Sequence, residues 1–250
     1  MAEELEKKRL MEWAQRSFRQ GTYCFSHFLD LAGLSLFHSL LPALPPVGWT
    51  LFGGADGCER QMVRFGREED LGYEEPFPIL CLKISPLSAK FAEPLTHRDY
   101  LGALMALGIE RETMGDIVVK PEGAYLFCEE RIAPFIAQNF TQARHTSLSC
   151  AYAEAPPAGK LFVTEKRMVQ VSSQRLDALI AHLYQMSRSD AQRLFPAGKV
   201  YVSGKLCESP GQTPKAGDVI SVRGFGRFSY GGVESLSKKG KENTALNVYV

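Results

Sequence analysis

Three features of the sequence point to an α+β chain in three parts. Between residues 3 and 41, apolar side chains recur at helical spacing and are stopped by Pro42, Pro45 and Pro46. From residue 79 onward, short strand-like runs and helical runs follow in the order β-α-β-β-α-β. That is the split βαβ sandwich of ferredoxin-like and RNA-recognition-motif folds. Beyond residue 160, an extended run is followed by two short helical runs and then by three small strands punctuated by Gly198, Gly204 and Gly217. The parts expected are a helical N-terminal segment (1–47), the α/β sandwich (48–155), and a compact αα-β module with a C-terminal extension (160–250).

The elements follow in order. Residues 3–20 place Leu5, Leu10, Trp13 and Phe18 loosely on one side of a helix. A second helix is expected over 24–41. The stretch from Phe28 to Leu44 is apolar but interrupted by Asp30, His38, Ser39 and Pro42, short of the roughly 20 apolar residues a membrane span needs. Gln61 to Phe65 and Ile79 to Ile84 read as strands. Thr96 is placed to cap a helix from Arg98 to Leu107, which Gly108 closes. Ile117 to Lys120 and Ala124 to Cys128 flank a Pro121-Glu122-Gly123 turn. Glu129 to Phe140 is helical, with Pro134 delaying its start, and His145 to Tyr152 is a strand. Residues 155–159, Ala-Pro-Pro-Ala-Gly, form a connector. Leu161 to Val171 is extended. Ser172 or Ser173 caps a helix to about Gln185, and Ser187, with Asp190 three residues on, caps one to Phe195. Strands follow at Val200 to Val202, Leu206 to Glu208 and Val219 to Arg223.

Composition excludes several classes. Of 250 residues, 45% are hydrophobic and 23% charged, which rules out wholesale disorder. The N-terminus alternates acids and bases with no apolar core behind it, so no secretory signal is expected. Cys24, Cys58, Cys81, Cys128, Cys150 and Cys207 are scattered without a Cys-x-x-Cys, which favours a reduced cytoplasm over disulfides or zinc. The five histidines have no metal-ligand spacing. No glycine-rich nucleotide loop and no Gly-x-Ser-x-Gly nucleophile motif occurs. No cofactor is expected.

Total charge is +1, but it is unevenly distributed. Residues 173–250 hold eleven Lys/Arg against six Asp/Glu, a net +5; the rest hold 18 against 22, a net −4. A basic module on an acidic body is the footprint of a localised polyanion site. Arg188 falls in the first turn of its helix beside Ser187, where backbone N–H groups favour a phosphate. Gln192 lies about one turn on. Lys199 and Lys205 sit in glycine turns. Arg223-Gly-Phe-Gly-Arg-Phe228 ends the module with arginines suited to bidentate phosphate contact. Phe225 and Phe228 fit either base stacking or core packing.

The run Arg175-Leu176-Asp177, Ser187-Arg188, Gly198-Lys199-Val200, Val202-Ser203-Gly204-Lys205 and Gly217-Asp218-Val219-Ile220 resembles the ribosomal-protein S-four (alpha-L) RNA-binding domain over about 50 residues. Ser203 departs from the asparagine common there, and Phe195-Pro196 from an aliphatic residue without proline. Upstream, Phe52-Gly53-Gly54 with Glu59-Arg60, then Leu95 to Leu104, Gly108 to Arg111 and Gly115-Asp116-Ile117, together with the ending Arg223 to Phe228, resemble the YlmH family. The resemblance spans most of residues 50–230. It implies a bacterial cytoplasmic RNA-binding protein with a helical N-terminus, an RNA-recognition-motif-like middle and an alpha-L domain. It further implies binding to the large ribosomal subunit, to ribosomal RNA and to transfer RNA, with a role in rescuing stalled nascent chains or in cell division. A monomer without membrane insertion is expected.

The RNA-binding residues expected are therefore Arg175, Ser187, Arg188, Gln192, Lys199, Lys205, Arg223 and Arg227, with no catalytic or metal residue. In the middle domain, Tyr125 and Phe127 share one strand face and fit either a stacking platform or core. Arg98, Asp99, Arg111 and Asp116 fit an interdomain or RNA-contact set. Asp99 and Asp116 fit helix or turn caps equally well. Two other classes stay open. One is an RNA-modifying enzyme with its site in the middle domain; the other is a protein-interaction scaffold for division proteins.

Overall fold

The structure, a computed structural model, describes residues 2–88, 92–153, 161–237 and 240–249. The connector expected at 155–159 lies outside the described residues, as do Lys238 and Lys239. The chain divides into two compact units, Met1–Leu161 and Phe162–Val250.

The first unit opens with α1 (Ala2–Gln20), then β1 (Cys24–Phe25) and α2 (Leu31–Leu40). The helix expected over 24–41 thus begins seven residues later. Asp30 is its N-cap, accepting from the backbone N–H groups of Ala32 and Gly33 at 3.0 Å each. Ahead of it, the Ser26 hydroxyl accepts from Val63 N at 2.8 Å, which holds the chain against a strand rather than in a helix. β2 (Trp49–Phe52) and β3 (Met62–Phe65) complete a three-stranded sheet ordered β1-β3-β2. The division expected at residue 47 therefore falls inside this first sheet. Leu10, Ala14, Leu34, Phe37, Val63 and Phe65 form its core against α1 and α2.

After a short α3 (Glu68–Leu71) come β4 (Ile79–Pro86), α4 (His97–Ala106), β5 (Met114–Lys120), β6 (Gly123–Glu129), α5 (Ala133–Asn139), β7 (Gln142–Ala143) and β8 (Thr146–Tyr152). Their sheet is antiparallel, ordered β5-β6-β4-β8-β7. Without the short β7, this is the β-α-β-β-α-β sandwich expected. Thr96 and Asp99 form a reciprocal capping box at α4. Leu82, Ile84, Leu104, Leu126 and Ile136 fill the core between sheet and helices.

Strand alternation sends Tyr125, Phe127 and Glu129 to the opposite face. Where RNA-recognition motifs stack bases, this face is covered along β6. Gly54 lies so close to Phe127 that a Cβ there would overlap the ring, and Gly115 allows Phe28 an equally close approach. His27 Nδ1 meets Glu129 Oε1 at 2.6 Å, and Arg131 pairs with the other carboxylate oxygen. Burial alone would raise the Glu129 carboxyl, but these two partners hold it below its ordinary value. The same hydrogen bond raises His27.

The second unit comprises β9 (Thr164–Val171), α6 (Leu176–Leu183), α7 (Arg188–Arg193), β10 (Val200–Val202), β11 (Lys205–Leu206), β12 (Val219–Val222), β13 (Gly226–Leu236) and β14 (Glu242–Tyr249). Its six strands are ordered β11-β10-β12-β13-β14-β9, all antiparallel. Neither Ser172 nor Ser173 caps α6. Arg175 is its N-cap residue, and the N–H groups of Leu176 and Asp177 donate to Gln212 O (2.9 Å) and Pro210 O (3.0 Å) from a distant loop. The β13–β14 hairpin extends the sheet expected. Two β-bulges, between Tyr230 and Gly232 and between Val233 and Ser235, break the alternation that would have marked it. α6 and α7 pack on the sheet face bearing Val171, Val200, Ile220, Val222, Phe228 and Leu246.

Candidate nucleic-acid interface

The basic residues of the second unit are organised around an acid. Asp177, in the first turn of α6, has a fully buried side chain. It accepts from Arg175 (Nε 3.0 Å, Nη2 2.9 Å), from Arg188 (Nε 3.2 Å, Nη2 3.4 Å) and from Gln192 Nε2 (2.7 Å). Burial by itself would raise its carboxyl. The hydrogen bonds from Arg175, Gln192 and Arg188 outweigh burial and hold it far below the ordinary carboxylate value.

Three expected RNA-binding residues therefore converge on one carboxylate from i−2, i+11 and i+15. A guanidinium has five N–H donors, and each arginine commits its Nε/Nη2 edge to Asp177. Their side chains remain 41% and 53% exposed, and the Arg175 guanidinium also packs against Gly211. Asp177 anchors these side chains, a role that a tally of charge does not reveal. The signal available is its place in Arg-Leu-Asp, two residues after an arginine.

Ser187 is structural. Its hydroxyl accepts from Asp190 N at 3.1 Å and donates to Asp190 Oδ2 at 2.6 Å, capping α7 and so fixing where Arg188 begins the helix. Lys199 and Arg223 are exposed neighbours: Arg223 N donates to Lys199 O at 2.9 Å. The Arg223 guanidinium lies 5.1 Å from the Tyr201 ring centroid. Arg227 is held between two rings, 4.6 Å from Phe162 and 4.2 Å from Tyr249. Lys205 is exposed just after the β10–β11 turn, on the edge strand. That turn places Ser203 at φ +48°, where asparagine is favoured, and Ser203 Oγ donates to Asp218 Oδ1 at 3.0 Å. The register puts Arg227 and Tyr201 on the sheet face away from the helices. Of the expected residues, Arg175, Arg188 and Gln192 thus gather on Asp177 on the helical side, Arg223 and Arg227 lie against aromatic rings, and Lys199 and Lys205 stand exposed outside both groups.

In the first unit, Asp99 completes the α4 cap. Asp116 accepts from the N–H groups of Glu59 (2.6 Å) and Arg60 (3.1 Å). Arg60 donates to Met114 O, Phe28 O and Arg111 O. Arg111 donates to Met114 O and Gly115 O, and burial, with Arg60 nearby, lowers its pKa to about 10. Asp116, Arg60 and Arg111 bind the first sheet to the second; Arg98 is exposed. Tyr125 and Phe127 are buried core rather than a stacking platform. Among the described residues, no group of three or more His, Cys, Asp or Glu is placed to hold a metal, and no helix is long and apolar enough to cross a membrane.

Two family models match the sequence: "Putative RNA-binding domain in YlmH" over residues 73–155 and "S4 domain" over residues 174–220. The Bacillus subtilis (strain 168) protein named "Ribosome-associated protein quality control protein P2" is 32% identical over 232 residues, which cover 92% of this chain and 89% of that protein. A solved structure, "Cell division protein ylmH from Streptococcus pneumoniae", is 19% identical; the match covers 61% of this chain and 92% of that chain, at a TM-score of 0.49.

Proposed function

The chain belongs to the YlmH family of non-enzymatic RNA-binding proteins, and from that premise we propose that its C-terminal unit grips structured RNA on the large ribosomal subunit. The ligands in this reading are ribosomal RNA and transfer RNA, and the protein acts as a cytoplasmic monomer. The cellular setting in this reading is ribosome-associated protein quality control, the role in the name of the Bacillus relative, with the rescue of stalled nascent chains as its task. The observation that carries the reading is the Asp177 group. It presents two half-exposed guanidiniums anchored through their Nε/Nη2 edges, within a segment of net +5. Phosphate contacts of this kind set position and orientation rather than sequence preference.

The test is salt dependence. Binding to purified large subunits and to transfer RNA is measured across ionic strengths for the intact protein and for Arg188→Ala combined with Lys205→Ala. Removing one phosphate interaction flattens the log K against log salt slope by roughly 0.7–0.9. The double variant is expected to bind more weakly, with a slope shallower by about 1.4–1.8. Unchanged affinity and slope would show that this surface does not meet RNA.

A further inference from the structure

We propose that the Phe225 ring is a stacking platform for one unpaired nucleobase of the bound RNA, a proposal that rests on the RNA-binding reading above. Four aromatic residues have the sequence setting for such a role. Tyr125, Phe127 and Phe228 are 7%, 1% and 0% exposed; Phe225 is 46% exposed. The β-sheet platform of the middle domain is closed along β6 by the N-terminal sheet. Of the four, only Phe225 offers a ring to a base.

Its setting is built. Phe225 stands in the β12–β13 turn, closed by Phe225 N donating to Val222 O at 2.9 Å. Gly224 (φ +88°) and Gly226 (φ +123°) on either side adopt backbone conformations that L side chains rarely take, so the turn can hold this aromatic only between glycines. Tyr184 backs the ring at 5.5 Å between centroids and itself packs on buried Phe228, so Phe225 is braced from the core side.

Tyr184 is the C-cap of α6, four residues before Arg188 opens α7. Phe225 therefore lies at the α6–α7 corner, on the side of the sheet that carries the Asp177 group, while the register turns Arg227 to the far face. An RNA strand gripped by the basic residues of this unit has an exposed aromatic ring of the same unit, braced at the C-terminal end of α6, to stack on. Stacking is tolerant of base identity, because every base has a π face. This stacking adds affinity for single-stranded segments rather than for duplex.

The test uses the full chain with two probes: an RNA hairpin carrying an open single-stranded loop, and a fully paired duplex of the same stem. Phe225→Ala, at an exposed turn position, is compared with Phe225→Trp, with circular dichroism confirming the fold of each. Hairpin affinity is expected to fall roughly five- to 150-fold in Phe225→Ala, with an unchanged salt slope, while duplex affinity stays within about twofold. Phe225→Trp restores hairpin binding. Equal weakening on both RNAs, or unchanged hairpin binding, overturns the proposal while leaving phosphate binding standing. Unchanged RNA affinity with weakened, nuclease-resistant retention on ribosomal proteins also overturns it, in favour of a protein partner at this ring. If the intact protein binds neither RNA, the proposal and the reading beneath it fall together.

Discussion

Asp177 removes one positive charge from a basic surface, yet its geometry makes it an organiser of that surface. Asp177→Asn makes the protein more positive by one. Were net charge the determinant, RNA affinity would rise. With the hydrogen-bonded anchor weakened, affinity is expected to fall instead, as read by binding to large subunits at fixed ionic strength. Stability is expected to drop by roughly 1.5–3 kcal/mol in denaturant titrations at neutral pH, the usual worth of hydrogen bonds to a charged group. The pH dependence has a defined sign. The folded carboxyl lies below its unfolded value of about 3.9, so its contribution is present above that pH and disappears as pH falls toward the folded value. The stability gap between wild type and Asp177→Asn should therefore be widest near neutrality and shrink below about pH 4. A gap independent of pH would mean that the carboxylate is not the anchor.

Elements whose ends are set by neighbouring residues are legible in the sequence; those set by distant partners are not. Thr96 with Asp99, Gly108 after α4, Pro134 in the first turn of α5 and Ser187 with Asp190 are local devices. The start of α6 depends on carbonyls at Pro210 and Gln212 more than 30 residues away, and the β13–β14 pairing is masked by its bulges. Asp30 is a local cap too, but inside an apolar run it reads as an interruption. The middle sheet shows the same limit. Alternation in β6 puts Tyr125 and Phe127 on one face, but whether that face meets solvent or protein depends on Gly54 and Phe28, which lie outside this sheet. Gly54→Ala tests that closure. With φ at +101° and the Phe127 ring against the new Cβ, the substitution is expected to cost roughly 2–3 kcal/mol in denaturant unfolding. A neutral effect would mean that β6 is not sealed.

In the molecule as a whole, a total charge of +1 conceals the distribution of charge. The −4 and +5 portions nearly coincide with the two compact units, and the expected RNA-binding residues all fall in the second. In the candidate site, residue types and chain order are legible in the sequence; the convergence of Arg175, Arg188 and Gln192 on Asp177 is not, because it arises only when α6 and α7 pack together. The face of the middle sheet on which RNA-recognition motifs stack bases is covered along β6, while the expected RNA-binding residues lie in the unit whose charge suggests the role. Ultraviolet crosslinking of the protein to RNA in living cells, followed by mass spectrometry of the nucleotide-bearing peptides, separates the two directly. Adducts should map to residues 175–228, with Phe225 among them. Adducts confined to residues 79–152 would place RNA on the middle domain and contradict the assignment of the basic unit.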